Sequence, residues 1–408
     1  MIARHVRRLA AYVPGEQPKA TDVVKLNTNE NPYPPSPACA KVLKAFDLDR
    51  LRRYPDPVFA DLRDALAQLN GTTPDRVFVG NGSDEILALA AKAFVEDDET
   101  IGSLDPSYSL YKTLAAIRNV KWEGVEEIIE SSNDRMVECE SNNPIIESSN
   151  DRMVECESNN PIIESSNDRM VECERGKPST EDSTIRQFDN SIISLFLLTN
   201  PNAPTGEFRA PDAIAAFAKK FHGVVLVDEA YADFARGNCM ALATAPRNRN
   251  VLVMRTFSKS YSLAGLRVGY CVGPKPLIAA LYKIKDSYNV DAVAQAVALA
   301  AVKDQAWMKA NVAKVMKTRT WFAKELAARG WDVIPSESNF VFAKPPRPQK
   351  AAALFAALKA KNVFVRYFKG PKTGDRLRIT IGTDAEMKRL LKEIDMSDRR
   401  VKRNTRQS

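Results

Sequence analysis

Apolar residues in this chain gather in short continuous runs, the pattern of strands that are covered on both faces, rather than alternating with polar ones. Three runs matter most. Arg76-Val77-Phe78-Val79 leads through the turn Gly80-Asn81-Gly82-Ser83-Asp84-Glu85 into Ile86-Leu87-Ala88-Leu89-Ala90, whose apolar spacing is helical. A glycine turn that opens a helix leaves unpaired backbone N–H groups at the positive end of the helix dipole, a ready site for an anion such as phosphate. The second run, Ile192-Ile193-Ser194-Leu195-Phe196-Leu197-Leu198, stops at Thr199-Asn200-Pro201-Asn202-Ala203-Pro204-Thr205-Gly206, where two prolines and a glycine enforce a turn that would present an asparagine amide rigidly. The third, Phe221-His222-Gly223-Val224-Val225-Leu226-Val227, delivers Asp228-Glu229-Ala230-Tyr231 at its C-terminal end. Buried parallel strands interleaved with helices predict an α/β fold, and in open α/β sheets ligands bind beyond the carboxyl ends of the strands.

Composition sets the scale. At 408 residues and 44% hydrophobic, the chain can form a large domain and a smaller one, each with its own core. No apolar run reaches membrane-spanning length and the N-terminus lacks the apolar core of a signal peptide, so a soluble, cytoplasmic protein is expected. The six cysteines show no paired spacing, which fits reduced thiols better than disulfides or a metal site. Much of the net charge of +8 sits in the last residues, Arg399-Arg400-Val401-Lys402-Arg403-Asn404-Thr405-Arg406, which read as a disordered basic tail rather than a nucleic-acid-binding surface.

The candidate chemistry lies in Thr256-Phe257-Ser258-Lys259-Ser260-Tyr261-Ser262-Leu263-Ala264-Gly265-Leu266-Arg267. A lysine amine flanked by hydroxyls and followed by a guanidinium suits a phosphorylated aldehyde: the amine can form a Schiff base while its neighbours hold the phosphate. That is the chemistry of pyridoxal 5′-phosphate. At the end of the third run, Asp228 can pair with a protonated pyridine nitrogen, and Tyr231 can reach the phenolic oxygen.

The order of these pieces resembles the fold-type I pyridoxal-phosphate aminotransferases. Four further stretches are similar to the histidinol-phosphate aminotransferases: Leu26-Asn27-Thr28-Asn29-Glu30-Asn31-Pro32-Tyr33, Arg53-Tyr54-Pro55-Asp56, Pro106-Ser107-Tyr108-Ser109-Leu110-Tyr111 and Leu377-Arg378-Ile379-Thr380-Ile381-Gly382-Thr383. The resemblance implies a large domain, residues 51–273, built on a mainly parallel seven-stranded sheet flanked by helices. A smaller α/β domain would combine part of residues 1–50 with residues 274–395, ahead of the basic tail at 396–408. It also implies roles. Lys259 holds the cofactor and shuttles the proton, Asp228 binds the ring nitrogen, Tyr231 and Asn202 bind the ring oxygen, and Tyr108 stacks on the ring. Ser83 and Asp84, through their backbone, together with Thr256, Ser258 and Arg267 hold the phosphate, with Tyr54 reaching the phosphate of a partner subunit in a homodimer. Arg378 and Arg366 receive substrate anions and Tyr12 contacts substrate, with no metal required. The implied reaction is transamination between histidinol phosphate and 2-oxoglutarate in histidine biosynthesis. The same scaffold serves aromatic-amino-acid aminotransferases, decarboxylases of phosphorylated amino acids and, outside enzymes, ligand-sensing modules of regulators.

One segment departs from the family. Residues 128–140 recur unchanged at 145–157 and at 162–174. Identity this complete argues against a folded solenoid, whose repeats diverge and whose ends are capped, and favours a recent tandem duplication or an assembly artefact. The unit is acidic and rich in serine and asparagine, with only Ile-Ile and Met-Val pairs to bury, so a protruding, poorly ordered loop is expected. Pairing of the three copies as a small β-array is the alternative.

Overall fold

The computed structural model describes residues 2–9, 15–18, 22–127 and 192–405. Tyr12 and the repeat segment lie outside the described residues.

The three apolar runs are strands of one seven-stranded sheet. Its order is Val77–Gly80, Gly269–Val272, Val251–Thr256, Val224–Asp228, Ile193–Thr199, Thr100–Leu104 and Lys121–Val125. Only Gly269–Val272 runs against its neighbours. Helices such as Ser83–Ala93 and Leu110–Arg118 pack on this sheet, burying Ile86, Leu87, Ala90 and Leu114 against Phe78, Ile101, Leu195, Leu226 and Leu252. Burying each of these leucine, isoleucine and phenylalanine side chains contributes about 1.5–3 kcal/mol, so the rear of the site is a well-packed wall. The same core extends past Gly273, because helix Lys275–Ile284 inserts Ile278 and Leu281 into it.

Register brings the strand ends level. Thr199 pairs with Asp228, Asp228 with Met254, and Gly269 with both Thr256 and Gly80. The glycine turn, the Asn-Pro turn, Asp228 and the lysine loop therefore open on one edge of the sheet.

A second sheet is antiparallel and four-stranded, in the order Arg366–Tyr367, Leu377–Thr380, Phe340–Lys344 and Asp332–Ile334. The N-terminal segment joins this half of the molecule, since Val24–Lys25 pairs in parallel with Val363–Phe364. Thr380 then donates its N–H to the carbonyl of Leu26 at 3.0 Å. From there the chain crosses to the edge of the large sheet.

One expectation is corrected. The last helix runs from Asp384 to Thr405, so the described part of the basic stretch expected to be disordered, up to Thr405, continues a helix. Lysine and arginine are good helix formers and suit a helix C-terminus, where the dipole favours positive charge.

Candidate active site

A cavity of about 590 Å³ lies at the strand ends, between the two sheets. Its lining includes Lys259, Asp228, Tyr231, Ser83, Asp84, Tyr108, Thr256, Ser258, Arg267, Arg366 and Arg378. These eleven residues were named from the sequence alone, and folding brings them to one cleft.

At the base, Asp228 is 4% exposed. Its Oδ2 accepts the Tyr111 hydroxyl at 2.9 Å and its Oδ1 accepts the N–H of Ala230 at 3.0 Å. Burial raises the carboxyl to about 6, and these two donors limit the rise. The group is thus a carboxylate at neutral pH, placed to hold a cationic N–H. Tyr111, fully buried and also bonded to Thr199, stays a phenol because burial and the Asp228 charge both raise its pKa.

One wall is a cup of donors. The Thr256 hydroxyl donates to Ser258 Oγ at 2.9 Å, and the Arg267 guanidinium reaches Ser258 Oγ at 3.4 Å and Asp84 Oδ2 at 3.5 Å. Gly82 caps helix Ser83–Ala93 at φ +79 with no side-chain cap. A Cβ on Gly82 would come 2.5 Å from the Arg267 guanidinium. Only glycine leaves both the positive φ and the open cup.

Above the base, Lys259 Nζ donates to the carbonyl of Thr28 at 3.2 Å. Burial and the neighbouring Arg378 charge lower this amine to about 8. A neutral amine is the nucleophile, so capture of a carbonyl by the cofactor-free protein should rise with pH through about 8 and level off above it. Stopped-flow uptake of pyridoxal 5′-phosphate across pH 6–11 checks this. A midpoint near the ordinary lysine value of about 10.4 would contradict the burial of the amine.

Arg366 and Arg378 face each other as cross-strand partners, and their guanidinium carbons lie 5.4 and 5.2 Å from the same Phe368 ring. Arg378 also donates to the carbonyl of Asn27 at 3.0 Å.

Two named residues that the structure describes do not line the cleft. Asn202 is buried beside it, with its amide donating to the Pro106 carbonyl and Thr205 and accepting from Ser107. Tyr54 is 80% exposed and stacks on Tyr288, ring centroids 4.3 Å apart. Tyr12 falls outside the described residues. Conversely, Asn29, Asn31 and Tyr111 received no role from the sequence. Asn31 donates to the carbonyls of Lys259 and Ser260 at 3.1 and 3.2 Å, fastening the lysine loop. Their signal was present, since both asparagines lie within the Asn-Thr-Asn-Glu-Asn stretch that carried the resemblance.

Comparison with known proteins agrees with this geometry. Residues 21–151 and 179–394 match the family described as aminotransferase class I and II. A histidinol-phosphate aminotransferase of Nostoc sp. is 38% identical over 391 residues, spanning 96% of each chain. One from Bradyrhizobium diazoefficiens is 40% identical, spanning 95% of this chain and 96% of its own. The crystal structure of histidinol-phosphate aminotransferase from Sinorhizobium meliloti in complex with pyridoxal 5′-phosphate superposes with a TM-score of 0.73 at 22% identity, covering 95% of this chain and 94% of that one. Fold and site thus define a fold-type I aminotransferase that uses pyridoxal 5′-phosphate. The buried acceptor, the reactive amine and the donor cup fit that cofactor's ring nitrogen, aldehyde and phosphate. Within this class, the chain belongs to the histidinol-phosphate aminotransferase family.

Proposed function

We propose that the chain moves the amino group of histidinol phosphate to 2-oxoglutarate, yielding imidazole acetol phosphate and glutamate in histidine biosynthesis. The observation that carries this reading is the facing pair Arg366 and Arg378. Like charges directly opposite on a sheet repel, and a ligand that brings two negative charges relieves the repulsion. A phosphate monoester does so, and so does a dicarboxylate; these are the anions of the two substrates.

When bound, pyridoxal 5′-phosphate supplies an electron sink for the electrons left as the substrate α-carbon loses its proton. The chain's residues do the rest. Lys259, with its amine near neutrality, carries that proton between the α-carbon and the cofactor's C4′. Asp228 keeps the ring nitrogen protonated, Tyr231 donates to the ring oxygen, and Tyr108 covers the ring face. The backbone N–H groups of Ser83 and Asp84 at the helix N-terminus, with the side chains of Thr256, Ser258 and Arg267, anchor the phosphate.

A homodimer completes the site in this reading. Tyr54 and Tyr288 are exposed and stack on one another, and Leu48, Leu51 and Val58 close to Tyr54 in the sequence are exposed as well; exposed large apolar side chains support a protein contact there. There Tyr54 reaches the partner's cofactor phosphate, and sedimentation should give twice the chain mass. A cytoplasmic location follows from the reading as a biosynthetic enzyme; the described cysteines, Cys39, Cys239 and Cys271, are free thiols, and no described helix is long and apolar enough to cross a membrane.

Steady-state kinetics with histidinol phosphate, phenylalanine and tyrosine as donors test the substrate. The expected order places kcat/KM for histidinol phosphate above the aromatic amino acids by at least about tenfold, the worth of roughly one ionic contact. A preference for phenylalanine or tyrosine would make this an aromatic aminotransferase.

A further inference from the structure

Asn29 is 1% exposed and sits in the left-handed region at φ 56, a conformation that asparagine tolerates better than most residues. Every polar group on it is used. Its N–H donates to Thr380 Oγ1 at 3.0 Å, and the same hydroxyl gives its own proton to Asn29 Oδ1 at 3.0 Å. Its carbonyl accepts from the Asn339 amide at 2.9 Å. With Oδ1 committed to Thr380, the amide nitrogen faces Tyr231 and donates to the phenol oxygen at 2.9 Å. Tyr231 therefore accepts on the Asn29 side, so its own proton is directed elsewhere than Asn29, and the tyrosine lines the cleft. Phe340 holds the ring edge-on at 5.2 Å, so the phenol has little freedom to turn.

We infer that Asn29 is a positioning residue that fixes Tyr231 as a proton donor toward the cofactor's phenolic oxygen. This rests on the reading of Tyr231 given above. Thr380 lies in the antiparallel sheet and Asn339 just ahead of its strand Phe340–Lys344, while Tyr231 follows the strand Val224–Asp228 of the large sheet, so Asn29 also registers the two halves of the molecule at the reacting ring. An amide is required because it presents an acceptor to Thr380 and a donor to Tyr231 at once. A carboxylate of the same shape accepts on both sides and would take the phenol proton for itself.

The test is a pH titration of the visible absorption of the pyridoxal-phosphate-loaded protein. A donor to the ring oxygen draws off its negative charge, which weakens the hold of that oxygen on the proton of the neighbouring nitrogen, so losing the donor raises the apparent pKa. Tyr231→Phe should raise it by about one to two units, the worth of a hydrogen bond to a charged group. Asn29→Asp should raise it by a similar amount, and Asn29→Gly, which keeps the left-handed backbone, by less. The double variant Asn29→Asp with Tyr231→Phe should match Tyr231→Phe alone, because Asn29 acts through the phenol. Additive shifts would mean that the new carboxylate acts directly on the cofactor and would overturn the inference. So would a Tyr231→Phe shift accompanied by none in either Asn29 variant. No shift in Tyr231→Phe itself would instead remove the role assigned to Tyr231, and the inference with it. Should Asn29→Asp fail to fold, Asn29→Gly alone decides: an unmoved pKa overturns the proposal.

Discussion

Replacing Lys259 with alanine is expected to abolish transamination and to remove the visible absorption of covalently held cofactor, while noncovalent binding of pyridoxal 5′-phosphate persists. The phosphate cup of Thr256, Ser258 and Arg267 and the buried Asp228 are untouched by this change, so the ring and phosphate keep their partners. What disappears is the cleft amine whose proton affinity is lowered to about 8. General acid–base transfer contributes typically about 10²–10⁴-fold in rate, and loss of the covalent anchor adds to that. Turnover together with equilibrium dialysis of the cofactor separates the two effects. Normal turnover in Lys259→Ala would contradict the assignment outright.

The second large effect is expected at Arg378. Its guanidinium is flanked by Phe340 and Phe368 at 5.4 and 5.2 Å and held by the Asn27 carbonyl, a preorganised fork for a carboxylate or phosphate. Removing one partner of a buried charged pair costs about 2–5 kcal/mol, so Arg378→Ala should raise KM for 2-oxoglutarate roughly thirtyfold or more. Cofactor affinity should barely change, because the donors of the phosphate cup belong to other elements. A cofactor dissociation constant that moves more than KM would place Arg378 in the wrong subsite. The charge of Arg378 also depresses Lys259, so the same variant should shift the pH midpoint of cofactor capture upward.

Much of this site was legible because its parts are local. A continuous apolar run ending in Asp228, a glycine turn ahead of a helix and a lysine among hydroxyls each carry their meaning within a dozen residues. Fold class followed from the same runs, since strands buried on both faces need helices over them. What could not be read depends on distant partners. The bond from Asn29 to Thr380 spans 351 residues, and nothing near position 29 announces it. Tyr111 occupies a core position of helix Leu110–Arg118, where a tyrosine suggests only that its hydroxyl must find some partner. That the partner is Asp228 emerges from register. The Asn-Pro turn shows the converse limit, because its shape was predictable while the commitment of the Asn202 amide to Pro106, Thr205 and Ser107 was not.

Transfer of the amino nitrogen itself tests the central claim most directly. The loaded protein is given histidinol phosphate labelled at its amino nitrogen together with unlabelled 2-oxoglutarate, and the products are followed by nuclear magnetic resonance. The account predicts labelled glutamate appearing in step with imidazole acetol phosphate, one for one, and none with Lys259→Ala. Glutamate without label, or consumption of histidinol phosphate with no glutamate formed, would contradict it.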